Sequence, residues 1–194
     1  MIDIVFASNN VHKLEEIASM LPLNMRIKSM KEAGIEADIP ETGTTLKENA
    51  FLKADFLRKK GFNAVLADDT GLEVSALNGA PGVYSARYAG PEGNARKNIK
   101  KLLAELQTAA DRTARFVTVL CFIRKGEVHY FEGEVKGVII DSPRGNQGFG
   151  YDPVFLPNGF NKTFAEMTLD EKNLISHRKK ALEKFLEFLQ NSKQ

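Results

Sequence analysis

The sequence predicts an α/β protein built on a mixed sheet. Three patterns carry that expectation: strand-like apolar runs alternate with helix-spaced apolar positions in the first half, a hairpin pattern follows in the middle, and a helical stripe closes the chain. With 194 residues and 43% hydrophobic content, the chain can bury one sizeable core, or one core shared by two lobes. Internal repeats, low-complexity tracts and linkers are not found.

Ile2-Asp3-Ile4-Val5-Phe6-Ala7 reads as a buried strand, and Leu14, Ile17, Ala18 and Leu21 recur at helical spacing after it. Thr45 and Glu48 form a capping-box pattern ahead of a helix carrying Leu46, Ala50, Ala54 and Leu57, which Gly61 can end. Ala64 to Ala67 reads as a short buried strand. A helix is expected around Ile99, Leu102, Leu103 and Leu106, then a strand from Phe116 to Ile123 that turns back near Lys125-Gly126. Leu182, Phe185, Leu186 and Leu189 mark a C-terminal helix.

Lys+Arg 27 against Asp+Glu 25 gives a net charge of +2, too balanced to make nucleic acid or an anionic membrane the main partner. The single Cys121 excludes an internal disulfide framework, and its place in an apolar run reads as a buried thiol rather than a nucleophile. The N-terminus lacks a basic flank and a long apolar stretch, and no segment approaches the length of a membrane span, so the cytoplasm is expected.

Three segments suggest chemistry. Gly148 to Phe155 alternates glycines with aromatic rings around Asp152; glycines allow close backbone approach, a ring can stack on a flat ligand, and a carboxylate can read its edge. An ordinary glycine-rich turn capped by core aromatics is the competing reading. Ser8-Asn9-Asn10-Val11-His12-Lys13 joins a strand to a helix, where free N–H groups, small polar side chains and Lys13 would cradle a phosphate, although Ser8 or Asn9 can equally be a simple helix cap. It matches neither the Walker pattern nor the dinucleotide fingerprint. Asp68-Asp69 follows the Ala64 to Ala67 strand and Glu41 lies in a turn; such hard oxygen donors suit Mg²⁺ shared between protein, water and phosphate, and a solvated turn is the plainer alternative.

Taken together, these residues resemble the inosine triphosphate pyrophosphatase family, also called Ham1-like. The carrying segments are Ser8-Asn9-Asn10-x-x-Lys13, Glu41-x-Gly43 with Glu48-Asn49-Ala50 and Lys53-Ala54, Ala67-Asp68-Asp69-Thr70-Gly71-Leu72, Gly79 to Arg87, Phe149 to Phe155, and Ser176-His177-Arg178. The resemblance implies an elongated mixed sheet with two lobes enclosing a central cleft, and residues 1–194 as a single pyrophosphatase domain. It also implies Mg²⁺, a homodimer, and hydrolysis of ITP, dITP and XTP to the monophosphate and pyrophosphate, which would cleanse the nucleotide pool of deaminated purines.

By position, Asp69 resembles the proton acceptor, and Glu41 with Asp69 the metal pair, with Asp68 and Glu48 as further candidates; Glu48 can also be only a helix cap. Ser8, Asn9, Asn10, Val11, His12, Lys13, Lys53 and Thr70 would hold the triphosphate. Phe149, Gly150, Tyr151 and Asp152, with Lys172, His177 and Arg178, would hold the base, a 6-keto oxygen satisfying a cationic donor that adenine's amino group would strand. His177 and Arg178 could instead be the solvent-facing first turn of the last helix. Two rival functions are a nucleic-acid-binding module, which the missing basic stripe disfavours, and a pyrophosphatase preferring modified pyrimidine triphosphates.

Overall fold

The computed structural model describes residues 2–191. Its strands are β1 (Ile2–Phe6), β2 (Met25–Ser29), β3 (Ala64–Val74), β4 (Pro81–Gly82), β5 (Thr113–Arg124), β6 (Glu127–Ile139) and β7 (Phe155–Pro157). Its helices are α1 (Val11–Met20), α2 (Leu46–Lys59), α3 (Ala95–Glu105), α4 (Leu169–Ile175) and α5 (His177–Asn191). The strands make one seven-stranded sheet in the order β2-β1-β3-β5-β6-β7, with β4 paired to β3. β1 runs parallel to β2 and β3, whereas β3 pairs antiparallel with β4 and β6 with β7, so the sheet is mixed as the sequence predicts.

Local chemistry explains where elements begin and turn. Asn10 caps α1, its side-chain oxygen accepting the Lys13 amide N–H at 3.2 Å. Thr45 and Glu48 close the expected capping box on α2, and a second box, Thr168 with Glu171, starts α4, which the sequence reading passed over. Lys125 and Gly126 form the two-residue turn between β5 and β6, both with positive φ (52° and 87°), which makes this an antiparallel hairpin.

The chain divides into two compact units. The first comprises Met1–Asp69, Thr118–Gly133 and Arg178–Gln194, and the second Thr70–Val117 and Glu134–His177. In the first, Ile4, Phe6 and Leu66 from the strands meet Ile17 of α1 and Ala181, Leu182, Phe185 and Leu189 of α5. Phe185 is fully buried, its ring edge-on to Phe122 at 4.9 Å and to Phe131 at 5.5 Å. In the second, Leu72, Val74, Ile99, Leu102, Phe116, Phe155 and Phe164 are the main body of a separate core. Cys121 is buried, and desolvation pushes its thiol up to about 12, as expected of a packing residue.

The strand read as Ala64 to Ala67 continues to Val74, so Asp68 and Asp69 lie inside β3 rather than in a turn beyond it. Buried carboxylates interrupt the apolar signal of a strand without interrupting the strand, because cations on neighbouring elements compensate them. Phe185→Ala removes a fully buried ring from the first unit and is expected to lower the unfolding free energy by about 3–5 kcal/mol, measured by urea denaturation. A loss below about 1 kcal/mol would mean that α5 is not packed as described.

Candidate active site

Adjacent residues of a strand face opposite sides of the sheet, so Asp68 and Asp69 look away from each other. Asp68 lies on the side of Leu66, where α1 and α5 pack, and is fully buried. Its Oδ1 accepts from Lys13 Nζ, and its Oδ2 accepts from Arg178 Nε at 2.9 Å. Arg178 also donates through NH1 to Glu16, one helical turn after Lys13 on α1. The Arg178 side chain is the largest fully buried one among the described residues, and the two carboxylates compensate its charge. Burial would raise Asp68, yet Arg178, Lys13 and Lys53 hold it well below the usual carboxylate range. Burial also pushes the Lys13 ammonium below its ordinary value despite Asp68.

Asp69 faces α2. Its Oδ1 accepts from Lys53 Nζ at 2.7 Å, and the same ammonium donates to Glu41 Oε1 at 3.0 Å. Burial is the largest influence on Asp69 and leaves it above its ordinary value, even with Lys53 and Lys13 acting against it. Burial opposes the charge on Lys53, but Asp69, Glu41 and Asp68 together raise it. The loop carrying Glu41 is tied to α2 by Asn49, whose Oδ1 accepts the Gly43 N–H at 2.8 Å. A Cβ on Gly43 would come within 2.7 Å of both Asn49 Oδ1 and Glu48 Cβ, so this close approach requires glycine. Glu48 itself is exposed and accepts from the Thr44 and Thr45 N–H groups at 2.7 and 3.2 Å, which is the helix-cap alternative rather than the metal-ligand one.

The proposed phosphate cradle is the turn into α1. Ser8 Oγ accepts the Asn10 N–H at 3.1 Å, and Asn9 donates to Ala37 O at 3.0 Å and Asp38 Oδ1 at 3.2 Å. The cap is therefore Asn10, not Ser8 or Asn9. Val11 and His12 are exposed in the first turn, His12 with Glu15 beside it at 3.6 Å. Ser8 to Lys13, Glu41, Lys53, Asp68, Asp69 and Arg178 thus share the first unit.

Thr70, Phe149, Gly150, Tyr151, Asp152, Lys172 and His177 belong to the second. There Asp152 Oδ2 accepts from the Phe149 N–H at 2.9 Å and from Lys172 Nζ at 2.7 Å. Lys172 also sits 4.9 Å from the centre of the Phe149 ring. Gly148, at φ +69°, has no room for a Cβ, which would overlap the Asp152 carboxylate. The Tyr151 hydroxyl donates to Ser85 O at 2.9 Å, while Ser85 Oγ accepts the Leu72 N–H at 2.8 Å, fixing the loop against β3. His177 is buried with its ring stacked 4.9 Å from Phe116, so it is not on a solvent-facing turn. Glu16 escapes sequence reasoning, because it sits beside Glu15 and looks like any solvated helix residue, whereas Asn49 and Ser85 lie in segments that carry the family resemblance but have no role assigned there.

The Asp68 cluster predicts a pH dependence. A carboxylate depressed by folding contributes stability above its ordinary value of 3.8, and that contribution is lost as pH falls below it. Asp68→Asn, which strands Lys13 and Arg178, lowers stability at neutral pH by about 3–5 kcal/mol, and the gap to wild type narrows at about pH 3. Urea unfolding at both pH values checks this; a constant gap removes Asp68 from the acid response.

The sequence profile of the Ham1 family matches residues 4–188. A Flavobacterium psychrophilum protein named dITP/XTP pyrophosphatase is 50% identical over 188 residues, covering 97% of this chain and 99% of its own. Among solved structures, the Staphylococcus aureus Ham1 protein superposes with a TM-score of 0.89 at 41% identity, covering 98% of this chain and 100% of that one. A Ham1 protein from Coxiella burnetii gives 0.90 at 40% identity, with the same coverage of each. With its mixed sheet, its paired carboxylates on β3 and this agreement along nearly its whole length, the chain belongs to the Ham1 family.

Proposed function

We propose that this protein is a pyrophosphatase that cleaves noncanonical purine nucleoside triphosphates, dITP, ITP and XTP, to the monophosphate and pyrophosphate. The observation that carries the reading is the β3 pair, in which one buried carboxylate anchors a lysine and the other shares a second lysine with Glu41. The relatives' printed name supports it. Lys13, Lys53 and the N–H groups opening α1 bind the phosphate chain, and Asp69 accepts a proton from the attacking water. The new bond joins water oxygen to the α phosphorus, the bond from that phosphorus to the bridging oxygen breaks, and pyrophosphate leaves. An Asp69 whose basicity is raised by burial suits that task.

Mg²⁺ fits the residues present. Glu41 and Asp69 already converge on one cation, the Lys53 ammonium, and two carboxylates are the donor set that Mg²⁺ takes when phosphates and waters complete its shell. No group of three or more His, Cys, Asp or Glu able to hold a metal occurs among the described residues, in keeping with a shared shell rather than a protein cage. When bound, Mg²⁺ would neutralise phosphate charge at the reacting centre. Asp68 is better suited to anchoring Lys13 and Arg178, since each of its oxygens accepts from a cation.

For the base, Phe149 supplies a stacking face backed by Lys172. Lys172, His177 and Arg178 are the donors we assign to the 6-keto oxygen, and adenine's amino group would leave such donors unpaired. We further propose that residues 1–194 act as one domain, that the protein works as a homodimer, and that it acts in the cytoplasm on free nucleotides. No helix among the described residues is long and apolar enough to cross a membrane.

Chromatography of products from ITP, dITP, XTP, ATP, GTP, dUTP and dTTP, with and without Mg²⁺, tests the reading. Monophosphate and pyrophosphate are expected from the first three and only with the cation; nucleoside diphosphate and orthophosphate as first products would falsify it. A preference for dUTP would favour the pyrimidine alternative. Asp69→Asn is expected to lower kcat by about 10²–10⁴-fold while a folded protein still binds ITP, and wild-type kcat in that variant excludes Asp69 as the proton acceptor.

A further inference from the structure

The two active-site lysines are paired in opposite ways. Lys13 shares its carboxylate with a second cation, since Asp68 also accepts from Arg178. Lys53 is a single cation shared by two carboxylates, Glu41 at 3.0 Å and Asp69 at 2.7 Å. In the Lys53 group one ammonium thus fills the space between two carboxylates. That spot is held firmly: the capping box fixes the start of α2, Asn49 ties the Glu41 loop to the same helix, and Lys53 follows Asn49 by one helical turn.

Two cations cannot share one pair of oxygens at these distances. A divalent ion taking the oxygens that Lys53 holds, Glu41 Oε1 and Asp69 Oδ1, must displace the ammonium, which is only 6% exposed and would lose both carboxylates in contact with it. Free Mg²⁺ brings only water and dehydrates reluctantly. A metal complex of a triphosphate brings acceptor oxygens that can take the ammonium, and the flexible lysine stem lets the head group turn to them.

We propose that Lys53 occupies, in the nucleotide-free protein, the metal's place between Glu41 and Asp69, so that the divalent cation is admitted only together with the triphosphate, whose phosphates take over the lysine. This rests on the assignment of Glu41 and Asp69 to the metal. Lys53 is then a gate on metal entry as well as a phosphate ligand, and the acidic pair is not filled by free metal between turnovers.

The test is Mn²⁺ binding to the full-length protein, followed by electron paramagnetic resonance of the unbound ion. Nucleotide-free wild type should bind Mn²⁺ weakly, and addition of the ITP analogue with a methylene bridge between the α and β phosphates should tighten it. Lys53→Gln should tighten nucleotide-free Mn²⁺ binding by about tenfold or more, because a positive charge in contact with both carboxylates is gone. Lys53→Arg, which keeps the charge, should leave it weak, and Lys53→Gln combined with Glu41→Gln should abolish the gain. Lys53→Met serves if the glutamine variant does not fold, and the wild-type comparison needs no variant. Tight Mn²⁺ binding by nucleotide-free wild type, or no tightening in an uncharged, folded Lys53 variant, overturns the proposal. Pyrophosphate release from ITP by the wild type is scored separately: if it is present while the Mn²⁺ results go against the gate, the gate alone fails and the function stands, whereas its absence removes the function on which the gate rests.

Discussion

Everything in the first unit's chemistry depends on two carboxylates placed at consecutive positions of one strand. In a turn, Asp68 and Asp69 would repel each other and would be held apart only by solvent. Inside β3 the pleat turns them to opposite sides of the sheet, so each is in contact with different cations. Asp68 meets α1 and α5, where Lys13, Glu16 and Arg178 complete a buried alternation of charge. Asp69 meets α2, where one lysine is divided between it and Glu41. One strand segment thus organises two charge groups with different partners.

The two groups are in different electrostatic states. Asp68 is stabilised as an anion by neighbouring cations, which suits an anchor whose charge must not change. Asp69 is instead raised by burial, against the pull of Lys53 and Lys13. Consecutive residues of identical chemistry thus differ because of what faces them. The second unit applies a similar economy: Asp152 fixes the Phe149 backbone and the Lys172 ammonium through a single oxygen, and Lys172 then supports the aromatic ring. Ser85 performs the corresponding task for Tyr151, receiving its hydroxyl while accepting from β3.

Much of the architecture is legible in the chain because it is written in local signals. Thr45 and Glu48 announce α2, Lys125-Gly126 announces the hairpin, and the spacing of Leu182, Phe185 and Leu189 announces α5. The length of β3 is not legible, since a run of Asp-Asp-Thr-Gly looks like a turn until Lys13, Arg178 and Lys53 are known to neutralise it. Glu16 is hidden for the same reason. Its partner Arg178 lies at the far end of the chain, and no pattern within α1 tells a buried glutamate from the solvated Glu15 before it. Residue types that carry chemistry are visible in the sequence, whereas the pairings that set their charge are long-range and belong to the fold.

Those long-range pairings also explain why the protein keeps buried ions where apolar residues would pack at less cost. Replacing a complete buried ion pair by well-fitted hydrophobic side chains is often neutral or stabilising, so stability alone does not account for Arg178 between Asp68 and Glu16. Directional partners do what an apolar contact cannot: they fix which oxygen of Asp68 faces Lys13 and which faces Arg178, and they join α1, β3 and α5 at defined points. Lys13 gains from that rigidity, because its position is set in advance and less ordering is left to any binding event. The Asp68 cluster, tied into three elements at once, is the fixed reference, and the Lys53 group, in which a single ammonium is divided between Glu41 and Asp69, is joined by fewer bonds and is the more readily rearranged of the two.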